Sequence, residues 1–566
     1  MRINKTLSAQ KKQTLVGAVG LLMLLSFTTS CAGTSRAAQE RKTWSPKSNP
    51  PADVIDVVSL GALNNWEKLA VISLQGLTSR KEPSIWLLVR EELDAKWLKV
   101  HEEKGYIKAS RPVEDWKELF EKHRGAYKGA VVPDENLYHG VLHAINVAAC
   151  EDLIVAPEAL AKELDIPIKI DLRDRFETNA AGYEWIWRTY RDRLSKQIAS
   201  IIYPEWAFNG SLAYDIQWRG LMFWVSGDNQ TEQSRKGTDH HKELATMTSI
   251  MEQLPPNMSV RGFPYAPGHL GLTENHGIAW LSRLGKAHNC SDHLPNLSVM
   301  SGIQIDALSP PRTDDRLLLE DDKIYIALTI TDGDNLNTWT DWFHEDFEHP
   351  DHGKVPVGWG IGPAILDLMP AVAQWYYEKA VPGKDEFIAD VTGIGYIYPE
   401  MYATQYPGDR QRILDEYIDW TRMYMDRLGL RHLRTYFDTP NVDTDGYIEQ
   451  FFKGIPSLDA VWDGYCRRLS KYDAPYEKQT YLVGQKPVFS AVMKAGWIYG
   501  TSVEDFYRDV HEVVGDQRPA FVNGALINWS FRVDDINEIY NNRREDMVFV
   551  TPSQLTDLYL KHIASE

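Results

Sequence analysis

The most regular pattern in the chain lies between residues 321 and 550. Short apolar stretches recur there at 324–331, 355–360, 387–391, 432–437, 458–462, 487–492, 520–527 and 547–550, with helix-period stretches between most of them. Runs of this length, rich in β-branched and aromatic side chains, read as buried strands. About eight β/α units of this size predict an α/β fold whose C-terminal part, residues 313–566, is a (β/α)7-8 TIM-like barrel. Smaller α/β domains precede it. Strands at 54–60, 84–89, 128–133 and 153–156 alternate with helical patterns at 66–77 and 137–149, which outlines an N-terminal region over 53–178. A helical pattern at 183–202, strands at 221–225 and 260–265, and a helix at 240–254 outline a second α/β region over 179–312. No Gly-rich phosphate loop follows any of these strands, so a nucleotide domain is not expected.

The beginning of the chain has a different pattern. Arg2, Lys5, Lys11 and Lys12 precede an apolar run at 15–27, then Thr28, Thr29, Ser30 and Cys31. The run is too short to span a bilayer, and its flanks are those of a cleaved secretory signal over 1–30. A cysteine at that point resembles a bacterial lipobox, although Thr28 stands where Leu is usual. Cys31 is therefore the expected lipidation site, and the expected location is the cell envelope, lipid-anchored at the outer membrane or in the periplasm. Residues 31–52 carry Gly33, Ser35, Pro46, Pro50 and Pro51 and read as a flexible tether.

Composition narrows the function. The formal net charge is −18, and removing the four basic residues of the leader takes it to about −22. Such a surface argues against nucleic acid or anionic lipid as a partner. The expected partners are a carbohydrate substrate, and the membrane only through the lipid anchor. Cys150, Cys290 and Cys466 are scattered and form neither a disulfide framework nor a metal knuckle. The 19 Trp and 27 Tyr suit a protein that stacks on sugar rings, though large cores also use them.

In a β/α barrel the active site lies at the C-terminal ends of the strands. The residues there are Asp332, Asp334 and Asn335 after the first strand and Trp359 at the second. Tyr396, Tyr398 and Glu400 follow the third, Asp438 the fourth and Asp463 the fifth. Trp497 follows the sixth, and Asn528 and Trp529 the seventh. Glycosidic cleavage needs two carboxyl groups, one protonated and one ionised. The expected catalytic set is therefore Asp332, Asp334, Glu400, Asp438 and Asp463, with the amides and aromatics as substrate contacts. Glu274, after the Gly-rich turn at 268–271, is added as a residue that reaches the barrel mouth from the preceding region. No cofactor and no metal is expected.

Gly393-Ile394-Gly395-Tyr396-Ile397-Tyr398-Pro399 matches the GxGYxYP signature, with every defined position kept. On that segment, and on Gln75-Gly76-Leu77 followed by residues 83–87, the chain resembles the GxGYxYP putative glycoside hydrolase family. The resemblance implies N-terminal α/β modules followed by a barrel, and a hydrolase acting on carbohydrate. Two other readings compete. His344, His349 and His352 lie among Glu345, Asp346, Glu348 and Asp351, which raises a metal-dependent carbohydrate deacetylase. A glycan-binding lipoprotein without catalysis would use the same aromatics.

Overall fold

A computed structural model describes residues 43–311, 317–439, 442–463, 479–491 and 502–565. The leader, Cys31, Cys466 and Trp497 lie outside the described residues. Among the described residues no helix is long and apolar enough to cross a membrane.

Three parallel sheets come first. The first has the order β2-β1-β3, from β1 (Val54–Ser59), β2 (Ile85–Leu88) and β3 (Ala109–Pro112). The second has the order β5-β4-β6, from β4 (Gly129–Val132), β5 (Leu153–Val155) and β6 (Ile168–Asp171). The third has the order β12-β9-β7-β8. It combines β7 (Ile198–Ile201), β8 (Leu221–Phe223), β9 (Ser259–Gly262) and β12 (Ala287–Cys290), with a small hairpin of β10 (Tyr265–Ala266) and β11 (Leu270–Gly271) set apart. The helical pattern expected at 183–202 is corrected. The helix is Asn179–Tyr190, and Ile198–Ile201 is a fully buried strand between β8 and β9. Two β-branched side chains at its ends fit a sheet centre better than the tail of a helix.

The C-terminal sheet has nine strands. They are β13 (Ile324–Thr331), β14 (Val357–Ile361), β15 (Asp385–Ala389), β16 (His432–Thr435), β17 (Ala460–Asp463), β18 (Thr480–Val483), β19 (Lys486–Ser490), β20 (Ala520–Ile527) and β21 (Met547–Phe549). All pairings are parallel except the β18–β19 hairpin. The sheet curls until its ends approach. Ala491 bridges Asn523, the Asn523 amide donates to the Phe489 carbonyl at 3.1 Å, and the Thr480 hydroxyl donates to Phe521 at 2.9 Å.

The eight expected strands are all present, but they do not form an eight-membered ring. β21 pairs with Ile324–Ile326, while β14 pairs with Leu328–Ile330. At eight residues, β13 is long enough to hold both on one edge.

Alternation sorts the side chains of this sheet. Tyr325, Ala327, Ile388, Ala460, Trp462, Phe489 and Phe521 point inward, where Leu555, Leu558 and Tyr559 of the last helix pack on them. That apolar layer fills the lower part of the curl. Leu328, Ile330, Trp359, Phe387 and Val461 point outward into the core shared with the surrounding helices.

The tether reading is also corrected for residues 43–52. Trp44 is buried at 3 % exposure, its amide donates to Asp367 at 3.1 Å and its indole N–H to the Asn257 carbonyl at 2.8 Å. Lys47 donates to the carbonyls of Ile303 and Asp367. A lone Trp in a polar, Pro-rich segment acts as an anchor here. Trp44→Ala should lower unfolding stability by about 3–5 kcal/mol, read by denaturant melts. A change below about 1 kcal/mol would mean that the segment is only laid on the surface.

Candidate functional site

The upper layer of the curl is polar. Thr331 ends β13 and its hydroxyl donates to Asp390 at 2.8 Å. Asp390, just past β15, is fully buried, takes the backbone N–H groups of Asp332 and Gly333, and lies 3.6 Å from the Arg434 guanidinium. These donors fold the loop after β13 down onto β14 and β15. The fit leaves no room at Gly333, where a Cβ would lie 1.5 Å from the Gly360 carbonyl oxygen. Asp332 is held at φ 79°, a conformation non-glycine residues rarely adopt. Its carboxylate accepts the Trp529 indole N–H at 2.6 Å.

Asp334 follows, buried, with its Oδ1 free of any hydrogen bond. Burial first, then the charges of Asp332, Asp390 and Glu274, push its carboxyl well above the usual range. Burial also raises Asp390, against the opposing Arg434. With acids on every side and no cation of its own, Asp334 is the one of the two that these influences push furthest toward the protonated form.

The GxGYxYP segment joins this site to the third sheet. Tyr396 and His288 exchange both backbone hydrogen bonds, at 2.8 and 3.1 Å. Gly393 has φ +123°, and a Cβ on it would meet Thr421 at 2.3 Å. A Cβ on Gly395 would lie 2.8 Å from the His288 carbonyl oxygen. Gly395 is therefore required by close docking between domains, and Gly393 by its approach to the helix Arg410–Leu428 of its own domain. Tyr396, Tyr398 and Tyr436 cluster with Ile278 and Ala279 of the helix Glu274–Arg283. The Tyr396 hydroxyl donates to Glu274 at 3.1 Å. Glu274 thus approaches Asp334 from the third domain, as the first residue of a helix capped by Thr273.

The other expected residues have separate places. Glu400 takes the backbone N–H groups of Asp438 and Thr439, both at 2.8 Å, so it shapes the turn after β16, and its Oε2 has no partner. Asp463 ends β17 just after the inward Trp462. With burial and Asp445, its charge pushes up the Tyr481 phenol, which packs against the outer core. Asn335 caps the helix Leu336–Thr340. Asn528 is buried with both amide atoms unpartnered. Trp529 is 42 % exposed and stands against Trp342 at 4.4 Å between ring centres.

Trp359 is corrected as a substrate contact. It sits on the outer face, packed on Phe343 and Phe347, with its indole N–H on Asp385 at 2.8 Å. Tyr398 is fully buried and Tyr396 nearly so, which makes them an internal wall. The three histidines of the deacetylase reading diverge. His344 meets Lys96 and Glu348, His349 meets Asp534, and His352 meets Asp385.

Sequence reading missed Asp390, Arg434, Asp292 and His293. Alternation along β15 puts Ile388 inward and hence Asp390 too, and alternation along β16 puts Arg434 on the face opposite Leu433. Both signals were present. Asp292 and His293 lie in a loop of the third domain with no periodic pattern.

Residues 322–560 match the GxGYxYP putative glycoside hydrolase C-terminal domain. Residues 55–124, 127–194 and 197–302 match the first, second and third N-terminal domains of the same family. The chain belongs to the GxGYxYP putative glycoside hydrolase family. No curated protein matches it. This GxGYxYP chain is similar in fold to a crystal structure described as a putative hydrolase from Bacteroides thetaiotaomicron. The two are 21 % identical, the match covers 92 % of this chain and 97 % of that one, and the TM-score is 0.76. A putative polysaccharide deacetylase from Mycobacterium smegmatis aligns over 45 % of this chain and 96 % of its own. Its identity is 12 % and its TM-score 0.29, too low to bear on the reaction.

The raised Asp334 carboxyl has a consequence for stability. An unfolded aspartic acid titrates near about 3.9, below the folded value. Its contribution is therefore complete below about pH 4 and declines as pH rises through the folded value. Asp334→Asn cannot ionise, so its denaturation midpoint should gain on the wild type as pH rises above about 4. Parallel profiles would show that Asp334 is not perturbed.

Proposed function

We propose that this protein hydrolyses glycosidic bonds, with Asp334 as the proton donor and Asp332 as its ionised partner. The observation that carries the reading is the buried carboxyl of Asp334 among three other acids, which favours the protonated form at neutral pH. A general acid for a sugar leaving group needs that state before the bond breaks. Asp332 is more exposed and accepts the Trp529 indole, which suits a carboxylate that stays charged.

The surroundings support a sugar ligand. Trp529 offers an exposed apolar face beside Asp332. Asn528 offers a buried donor and acceptor that nothing else uses. Glu274, tied to Tyr396, adds negative charge that holds the proton on Asp334. In this reading Glu400 positions the turn that carries Asp438, and Asp438 and Asp463 contribute at the rim. The family membership agrees with a hydrolase acting on carbohydrate.

The reading extends to location. The basic and apolar leader and Cys31 fit export and lipid anchoring, so the enzyme would act at the cell envelope on poly- or oligosaccharide. Cys31→Ser should move the protein from the membrane fraction to the soluble one, and unchanged partition would contradict the anchor.

The reaction is tested on a panel of plant, algal, host and bacterial polysaccharides, by release of reducing ends. The wild type should cleave at least one member. Asp334→Asn should lose about 10²-fold or more in turnover while still being retarded by that polysaccharide in affinity electrophoresis. Full turnover in Asp334→Asn, or release of acetate without reducing ends, would contradict the assignment.

A further inference from the structure

The third domain sends a second group of side chains toward the same loop. β12 ends at Cys290, and Ser291, Asp292 and His293 follow. The Asp292 side chain is buried and that of His293 is 45 % exposed. Asp292 Oδ2 is hydrogen-bonded to His293 Nδ1, and its Oδ1 accepts the Asn337 amide at 2.9 Å. Burial pushes the Asp292 carboxyl up, but the His293 hydrogen bond and charge outweigh it and hold it below the usual range.

Asn337 ties this pair to the C-terminal sheet. Its amide also donates to Asn335 Oδ1 at 2.9 Å, and its own Oδ1 accepts the His293 backbone N–H at 3.0 Å. Asn335 directly follows Asp334 in the loop after β13. The Cys290 thiol reports the same neighbourhood. After burial, the charges of Asp292, Asp334 and Asp332 together push it well above its ordinary value. The three carboxyl groups therefore all act on one sulfur, although two domains supply them.

A histidine that only pins a loop is usually buried with both nitrogens engaged. His293 has the opposite arrangement: the carboxylate is buried, and the ring stands outward against Trp206, 4.6 Å between ring centres. Engagement of Nδ1 fixes the ring and leaves Nε2 as the nitrogen that faces outward. This is the arrangement by which a buried carboxylate orients an imidazole for proton transfer.

We infer that His293, oriented by Asp292, is a proton-transfer residue of the site that contains Asp332 and Asp334, supplied by the third domain. In the hydrolytic step its Nε2 would accept a proton from the attacking water as the water oxygen bonds to the sugar carbon and the bond to the departing oxygen breaks; Asp334 gives its proton to that oxygen, and the ionised Asp332 stabilises the positive charge that develops on the sugar. The inference rests on the glycosidase reading above. The charged group that the His293 ring meets is Asp292, with Cys290 on the same segment and Asp332 and Asp334 acting on that thiol from the facing loop. Trp206 and Asn337 add uncharged contacts to His293, and the Asn209 amide donates to the Asp292 carbonyl.

The test uses the chain from residue 43 to 566, which includes all four domains, on a polysaccharide cleaved in the panel above. His293→Ala should lower kcat by about 10²-fold with little change in KM or thermal midpoint, and added imidazole should restore part of the rate. Asp292→Asn should lower kcat in the same direction, without rescue. Wild-type kcat in His293→Ala, with Asp334→Asn inactive, overturns the inference and leaves the glycosidase reading standing. A loss that follows the thermal midpoint and that imidazole does not restore also overturns it. Full activity in Asp334→Asn overturns the glycosidase reading itself, and the inference with it.

Discussion

Two backbone hydrogen bonds between His288 and Tyr396 carry the architecture of the site. They set the third sheet against the segment that follows β15, and everything polar at the top of the curled sheet is arranged around that contact. Gly395 is needed because the approach leaves no space for a side chain, while Gly393 is needed for the turn to pass Thr421. Once docked, the third domain brings Glu274 beside Tyr396 and the end of β12 beside Asn337. Trp44 closes the same seam from another direction, meeting Asn257 and Asp367. The signature motif is thus primarily a docking device, and its tyrosines line the seam.

The electrostatics follow from that docking. A carboxyl buried alone is raised by desolvation, and acidic neighbours raise it further. Asp334 has both influences, and Glu274 reaches it only because the domains meet. Asp390 feels the same burial but is answered by Arg434 and by the donors of Thr331, Asp332 and Gly333. Each of the two acids keeps one oxygen without a hydrogen bond, but Asp390 also accepts the Thr331 hydroxyl and faces Arg434, whereas Asp334 faces only acids. The difference between the two aspartates is the cation and the hydroxyl donor that Asp390 has and Asp334 lacks.

Much of this was legible in the sequence. The eight C-terminal strands follow from their apolar runs, and the loop after the first strand was marked by Asp332-Gly333-Asp334. The rest depended on which way side chains face. Trp359 was read by its position at a strand end, yet alternation turns it outward, next to Phe347. The same alternation turns Asp390 and Arg434 inward. The ring of eight strands failed because β21 and β14 share one edge of β13; the run at 324–331 gave the length of that strand but not which strands pair along it. Asp292 and His293 gave no sequence signal, since their placement depends on a contact between domains.

The central claim is that Asp334 keeps its proton in the folded protein at neutral pH. Infrared difference spectroscopy between the wild type and Asp334→Asn measures this directly through the carbonyl stretch of a protonated carboxyl group. The account predicts that this band is present in the folded wild type at neutral pH and missing from the variant. Identical spectra in the protonated-carboxyl region, with the extra intensity of the wild type confined to the carboxylate bands, would contradict it.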